Sequence, residues 1–252
     1  MAEMAGRVRR YFETRLISAL GTTPLETPEA TLKANRVNER AGRTASKEVR
    51  RQQLIEATIE SIAKYGISGT TTNTVTKLAG LSVGIVNFHF KSKENLFEET
   101  LKFLAEEHRA LWRKTLKPRN TTAAGQLLAI VDAEFHPQVC SRKKLTVWSA
   151  FYGETGYRKA YRKIMTDIDT ERWDTSKRLC SYIISEGGYS NVEADEIAET
   201  LEGLFDGFCL NILIYPGAFT REDAKNRIRA YLASIFPKHF DRSGKTVSQG
   251  KP

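Results

Sequence analysis

At 252 residues the chain suits one large or two small domains, enough to bury a proper core, and its formal net charge is +9. The charge is uneven: residues 1–120 hold 21 Lys/Arg and 13 Asp/Glu, whereas residues 121–252 hold 18 and 17, so only the first part is suited to a polyanion. Three scattered cysteines without a CxxC or metal-ligand His spacing, no uncharged stretch of membrane-spanning length and no signal-peptide pattern argue against a metal site, a disulfide scaffold, a membrane span and export; a soluble cytoplasmic protein is expected.

Residues 1–45 form a basic amino-terminal extension. Arg7, Arg9, Arg10 and Arg15 interleave with Tyr11, Phe12 and Leu16, a pattern compatible with a short amphipathic helix, and Pro24 and Pro28 prevent one regular element over residues 22–29. The stretch reads either as a loosely ordered tail, with the start codon itself a candidate to lie downstream, or as a basic arm along a DNA backbone.

From Lys47 to Tyr65, Ile55, Thr58, Ile59 and Ile62 make a helical stripe ended by Gly66. Asn73 to Ala79 predicts a second helix with Val75, Leu78 and Ala79 on one face and threonines as N-caps. Gly80 permits a tight turn. Ser82 is expected to cap a third helix burying Ile85, Val86 and either Phe88 or Phe90, and Ser92-Lys93-Glu94-Asn95 to cap a fourth. Two short helices around a glycine turn, with basic flanks, are the pattern of a helix-turn-helix reader of duplex DNA.

The remainder predicts helices throughout. Lys93 to Lys117 turns Leu96, Leu101, Leu104, His108, Leu111 and Trp112 inward, and Pro118-Arg119-Asn120 breaks it. Thr121 to Phe135, Val139 to Glu154 and Tyr157 to Glu186 come next, the last with Tyr161, Ile164, Ile168, Leu179 and Ile183 at helical spacing. Glu193 to Tyr215 carries Ile197, Leu201, Leu204, Phe208, Ile212 and Tyr215; Arg221 to Phe236 carries Ala224, Ile228, Tyr231, Leu232 and Ile235. These last two stripes read as too apolar for a lone surface. Residues 241–252 are polar and read as a disordered tail. The fold class is all-α, with a three-helix DNA-binding domain over 46–97 and a larger regulatory domain over 98–240.

The segment Thr70 to Phe97 resembles the TetR family of bacterial repressors. The carboxyl half is similar to its BetI branch, the choline-responsive repressors of glycine-betaine synthesis. Arg50-Arg51-Gln52-Gln53-Leu54-Ile55-Glu56-Ala57-Thr58, Trp148-Ser149-Ala150-Phe151-Tyr152 and Leu204-Phe205-Asp206-Gly207-Phe208-Cys209-Leu210 carry that likeness. The branch tends to have a tryptophan where this chain has Cys209 and an arginine where it has Asn211.

The resemblance implies a dimer formed by the last two helices, a palindromic operator, and base contacts from Val83, Gly84, Ile85 and Asn87. Asn87 has the two hydrogen-bonding groups that read adenine; Val83 or Ile85 suits a thymine methyl, with core packing the alternative for Ile85. His89 and Lys93 match phosphate-contacting positions, Lys93 at a helix start, with a core or capping role the alternative for His89. Thr71, Thr72 and Asn73 either cap their helix or meet phosphate, and Arg50 and Arg51 are natural backbone clamps.

Trp148, Phe151 and Tyr152, at i, i+3 and i+4, share a helix face, and Phe205 and Phe208 lie beside Glu202 and Asp206. Aromatic faces with carboxylates suit a quaternary ammonium effector such as choline or betaine aldehyde; the alternative is plain core. Trp173 is assigned to the pocket, a partner subunit or solvent. No cofactor is expected. An enzyme would have to use Glu154, Asp206 and His136, which no nucleophile–base or metal spacing joins. A constitutive architectural DNA binder is the remaining alternative; a footprint confined to one palindrome excludes it. The ligand-responsive repressor is the best reading.

Overall fold

The computed structural model describes residues 47–116, 122–241, 243 and 245–247. The expectations for residues 1–45, and for the break at Pro118-Arg119-Asn120, lie outside these. The described elements are helices: α1 (Lys47–Gly69), α2 (Thr72–Ala79), α3 (Gly84–Phe90), α4 (Lys93–Thr115), α5 (Ala123–Glu134), α6 (Arg142–Gly153), α7 (Arg158–Gly187), α8 (Ala194–Ile214) and α9 (Arg221–Ile235), with one isolated β-bridge between Phe240 and Thr246.

Helices α1 to α3 close a small head. Leu54, Ile62, Val75, Val86 and Phe90 are fully buried in one cluster. A buried hydroxyl chain reinforces it: Ser61 Oγ donates to Thr70 Oγ1 at 3.1 Å and also meets Thr74 Oγ1 at 3.1 Å. At Gly66 (φ 70°) the backbone leaves the helical region, so α1 kinks where the glycine signals a stop. Helix α4 then crosses the expected boundary at residue 97, sending Leu96, Phe97, Leu101 and Leu104 into the head core. Val147 and Phe151 of α6 join them, and α6 packs along α1.

The second core lies among α5, α7, α8 and α9, where Leu127, Ile130, Leu179, Leu201, Ile228 and Leu232 are buried. This accounts for the apolar stripes of the last two helices. Their stripes on Ile197, Leu201, Ala224, Ile228 and Leu232 are covered by the chain's own helices. What α8 leaves exposed is Leu210, Ile214 and, just past its end, Tyr215, whose place in the apolar stripe predicts an inward position.

Four smaller departures have local causes. Leu78 is 42% exposed because Thr76, bonded back to Thr72 O at 2.8 Å, takes the inward position. His108 and Leu111 are only half-buried. Ser82 does not cap α3: the cap residue is Val83, in helical geometry, without a side-chain bond. In the expected tail, Asp241 N bonds Lys245 O at 2.8 Å and Val247 N bonds His239 O at 2.9 Å, so these residues turn back on the end of α9.

Candidate functional site

The head presents one open edge. Thr71 caps α2 through a reciprocal pair: its Oγ1 accepts from Thr74 N at 3.1 Å, and Thr74 Oγ1 accepts from Thr71 N at 2.8 Å. Gly80, at φ 65°, closes α2 in the left-handed region and turns the chain into α3. On the short α3, Val86, His89 and Phe90 point inward, whereas Val83, Gly84, Asn87 and Phe88 are exposed. Ile85 is half-buried against the head core. Asn73 is exposed at the start of α2, and Thr72 is half-buried.

Two expected phosphate contacts are engaged within the head, Arg51 half-buried and His89 buried. Arg51 Nη1 donates to His89 O at 2.6 Å, Nη2 pairs with Glu99 at 3.1 Å, and its guanidinium lies 4.3 Å from the Phe90 ring centroid. It pins α1 to α3 and α4 rather than standing free as a clamp. His89 is 8% exposed. Burial, then the charges of Arg51 and Lys47, hold its imidazole below the ordinary 6.5, so it is neutral near pH 7. Arg50 bonds Gln53 Oε1 at 2.8 Å and is half-buried. Lys93 lies in the first turn of α4, behind the Ser92 cap, with its ammonium 5.4 Å from the Phe97 ring.

Sequence reasoning missed two residues here. Phe88 is 72% exposed, edge-on to His89 at 4.9 Å, on the face that Asn87 shares. Lys91 is exposed at φ 67°, in the junction that leads to Lys93. A count of apolar residues assigns Phe88 to the core. The 3.6-residue period with Val86 and Phe90 fixed inside turns it out.

In the larger unit the central group is Arg172, which sequence reasoning passed over. Its guanidinium is buried on α7 and surrounded by carboxylates. Nε donates to Glu202 at 3.1 Å, Nη2 pairs with Asp169 at 3.2 Å and also with Glu202, and Nη1 lies 3.5 Å from Glu134. His108 Nε2 meets Glu134 at 2.9 Å. Burial alone would raise the Glu134 carboxyl, but Arg172 and His108 bring it down to about 2. Glu202, Asp169 and Asp206 are raised, mainly by burial and also by the neighbouring carboxylates. The guanidinium thus pairs with three carboxylates, Glu134, Asp169 and Glu202, and its charge also reaches Asp206. Tyr161 adjoins it; burial, Asp169 and Asp206 push its phenol up. Trp112 Nε1 and Ser176 Oγ are buried without a hydrogen-bond partner among the described residues.

The expected aromatic face is split. Trp148 and Tyr152 meet Tyr161 edge-on at 5.9 and 5.8 Å. Phe151, between them in sequence, points the other way: it is fully buried, 6.2 Å from Phe97 and 5.7 Å from Tyr157, as part of the head core. Glu202 is Arg172's ion partner rather than an unengaged carboxylate, and Phe205 packs beneath, its ring 6.0 Å from the guanidinium. Phe208 stacks on Phe219 at 5.4 Å, and Trp173 takes the Lys177 ammonium at 4.9 Å; neither contact belongs to the Arg172 cluster. Cys140 and Cys180 are buried and Cys209 is half-buried, all three as free thiols.

Comparison with known proteins matches these two parts separately. Residues 54–100 match the family of bacterial regulatory proteins, tetR family, and residues 123–237 match the BetI-type transcriptional repressor, C-terminal. The HTH-type transcriptional regulator BetI of Paraburkholderia phymatum is 33% identical over 74% of this chain and 92% of its own length. A transcriptional regulator from Pseudomonas aeruginosa PAO1 superposes with a TM-score of 0.67 at 25% identity, over 77% of this chain and 93% of that one. A transcriptional regulator from Saccharomonospora viridis, solved in complex with choline, gives 0.64 at 18% identity, over 72% and 94%. The chain belongs to the TetR family and, through its carboxyl half, to its BetI-type repressors: it is a transcription regulator with a helix-turn-helix head, not an enzyme.

Proposed function

We propose that the protein is a dimeric repressor that binds a palindromic operator through α3 and is released by a small quaternary amine, with choline as the first choice. The observation that carries the DNA-binding half is the exposed row Val83, Gly84, Asn87 and Phe88 on α3, flanked by Lys91 and Lys93. Asn87 offers two hydrogen bonds to an adenine edge, and Phe88 offers an apolar face to a thymine methyl or sugar. Asn73, with Thr71 and Thr72 at the start of α2, supports phosphate contacts that position the head.

Selection of duplexes from a random pool, with footprinting of the winners, tests this. One inverted repeat should emerge, with steep salt dependence. Asn87→Ala should relax the preference at one base per half-site, at roughly 1–3 kcal/mol. Lys93→Ala should weaken all sequences alike. An unchanged base preference in Asn87→Ala would remove α3 from the groove, and a footprint spread over any duplex would favour an architectural role.

The effector reading rests on the Arg172 cluster. Arg172 is already saturated by Glu134, Asp169 and Glu202, so the carboxylates around it favour a cation beside Tyr161, Trp148 and Tyr152. The choline bound to the Saccharomonospora viridis protein, which has the same fold, supports that choice. Calorimetry should give choline binding that weakens about 30-fold in Trp148→Ala or Tyr161→Ala, the equivalent of a desolvated cation–π contact of about 2 kcal/mol. A cation favours ionised carboxylates. Because Asp169, Asp206 and Glu202 are raised, affinity should be flat near neutrality and fall on acidification, beginning above their ordinary values of 3.8, 3.8 and 4.5. No heat at millimolar choline, with duplex binding also unaffected, would eliminate the choline reading and leave the regulator.

A further inference from the structure

We propose that the start of α7, in the regulatory part, is a second contact surface for duplex DNA: Arg158, Lys159, Arg162 and Lys163 meet backbone phosphates beside those that Lys93 meets. All four are exposed, on the outer side of the first two turns and turned away from Tyr157, Tyr161 and Met165. Among the described residues none of the four forms an ion pair. Arg158 reaches only the Tyr152 and Gly153 carbonyls, each at 3.5 Å. The carboxylates around them are Glu94 and Glu98 on α4, Glu154 before α7 and Asp167 a turn beyond Lys163. Glu99 is already held by Arg51 and Lys102. With Lys91 and Lys93 the four make six cations against those four carboxylates, so the surface is net positive.

The placement runs against the electrostatics of the helix itself. The first turn of a helix favours carboxylates, yet α7 has none there and no side-chain cap. Adjacent cations in that turn oppose the helix dipole, and no internal contact offsets this. A phosphate does, by taking charge-assisted hydrogen bonds from them.

The fold brings this surface to the DNA-reading edge. Lys93 Nζ lies 5.4 Å, and the Tyr157 ring 5.6 Å, from the same Phe97 ring, so the starts of α4 and α7 flank one side chain. Further along, Ala105 packs with Met165 and Ile168, and Glu171 pairs with Arg109 at 3.5 Å and Arg113 at 2.7 Å. The two helices therefore run in the same direction, with residue 97 level with 157 and 105 level with 165. On that register Arg158 stands five residues behind Lys93, about 8 Å along the axis. Asn95 Nδ2 donates to Phe90 O at 2.8 Å and fixes the start of α4 to the end of α3. A duplex seated on α3 and Lys93 thus passes the start of α7, and a modest bend toward the protein lays its backbone on Arg158 and Lys159 first, then on Arg162 and Lys163. This surface rests on the DNA-binding reading above and adds to it a contact outside the head.

The test compares Arg158→Gln/Lys159→Gln with Lys114→Gln/Arg178→Gln, which removes the same charge from exposed positions about 30 Å further along the same two helices. Both are measured on the duplex selected by the unsubstituted protein, carried within flanking sequence. The first variant should bind at least tenfold more weakly at physiological salt. Its slope of log affinity against log salt should shrink by about two to four, because each phosphate contact contributes about 0.9 and a dimer loses up to four. Its hydroxyl-radical footprint should lose protection only next to the Lys93 phosphates, with base preference unchanged. The second variant should stay within about twofold of the parent. Equal losses in the two variants would reveal a general field rather than a contact, an unchanged slope and footprint in the first would reveal a solvated face, and a lower melting temperature in the first would reveal a structural role; each overturns the proposal. If the unsubstituted protein selects no duplex at all, the DNA-binding reading fails and this surface falls with it.

Discussion

Arg172→Leu should lower the melting temperature by roughly 6–20 °C. Removing the guanidinium leaves Glu134 buried beside only His108, with Glu202 and Asp169 nearby. Breaking a buried ion pair from one side costs about 3–5 kcal/mol, because an uncompensated charge remains. In a body of this size each kcal/mol moves the midpoint by about 2–4 °C. Adding Glu134→Gln to Arg172→Leu should recover part of the loss, since the stranded charge is then gone. A single variant within about 2 °C of the parent in differential scanning fluorimetry would contradict the assignment of Arg172 as the centre of the cluster.

The same cluster sets an acid profile with two opposing parts. Glu134 has its carboxyl lowered to about 2, so its ionised form stabilises the fold above the ordinary 4.5, and that stability is lost as pH falls from there toward 2. Asp169, Glu202 and Asp206 are raised, so their ionised forms cost stability, and the cost is relieved as pH falls through their raised values. Stability should therefore hold or rise slightly on mild acidification and fall below about pH 4.5.

The head was legible in the sequence because its signals are local. Gly80 at positive φ, the Thr71 cap and the Ser92 cap are fixed by residues within three positions of one another. Helix boundaries in the larger unit were legible to within a few residues for the same reason. The Arg172 cluster was not, because its members come from α4, α5, α7 and α8. His108, Glu134 and Arg172 are each unremarkable on their own helices and become a site only when those helices pack. The split of Trp148 from Phe151 has a related cause: i and i+3 define one face of a helix, but Phe151 is fully buried in the head core, whereas Trp148 lies at that core's edge and meets Tyr161 of α7. Arg51 reads as a surface base until Phe90 and Glu99 arrive from elsewhere in the fold to hold it.

Dimerisation should depend on the outer face of α8, not on the stripes that first suggest it. Leu232 is fully buried in the chain's own core, so Leu232→Glu reports folding, and half-buried Leu204 is ambiguous for the same reason. The exposed apolar residues are Leu210 (50%), Ile214 (53%) and Tyr215 (55%), with Gly203 and Gly207 exposed one and two turns before them on α8. A Cβ at either glycine meets nothing within 4 Å among the described residues, and this small surface lets a second helix approach closely. Ile214→Lys should leave the helical circular dichroism of the chain intact, because the side chain is 53% exposed and outside the chain's own core. It should convert a micromolar sample from a two-chain to a one-chain species in sedimentation. Duplex affinity should fall in parallel by roughly 100-fold or more, since each head then binds its half-site without the effective concentration supplied by its partner. If the unsubstituted protein sediments as one chain at micromolar concentration, or if Ile214→Lys still sediments as two, the α8 face is not the dimer contact.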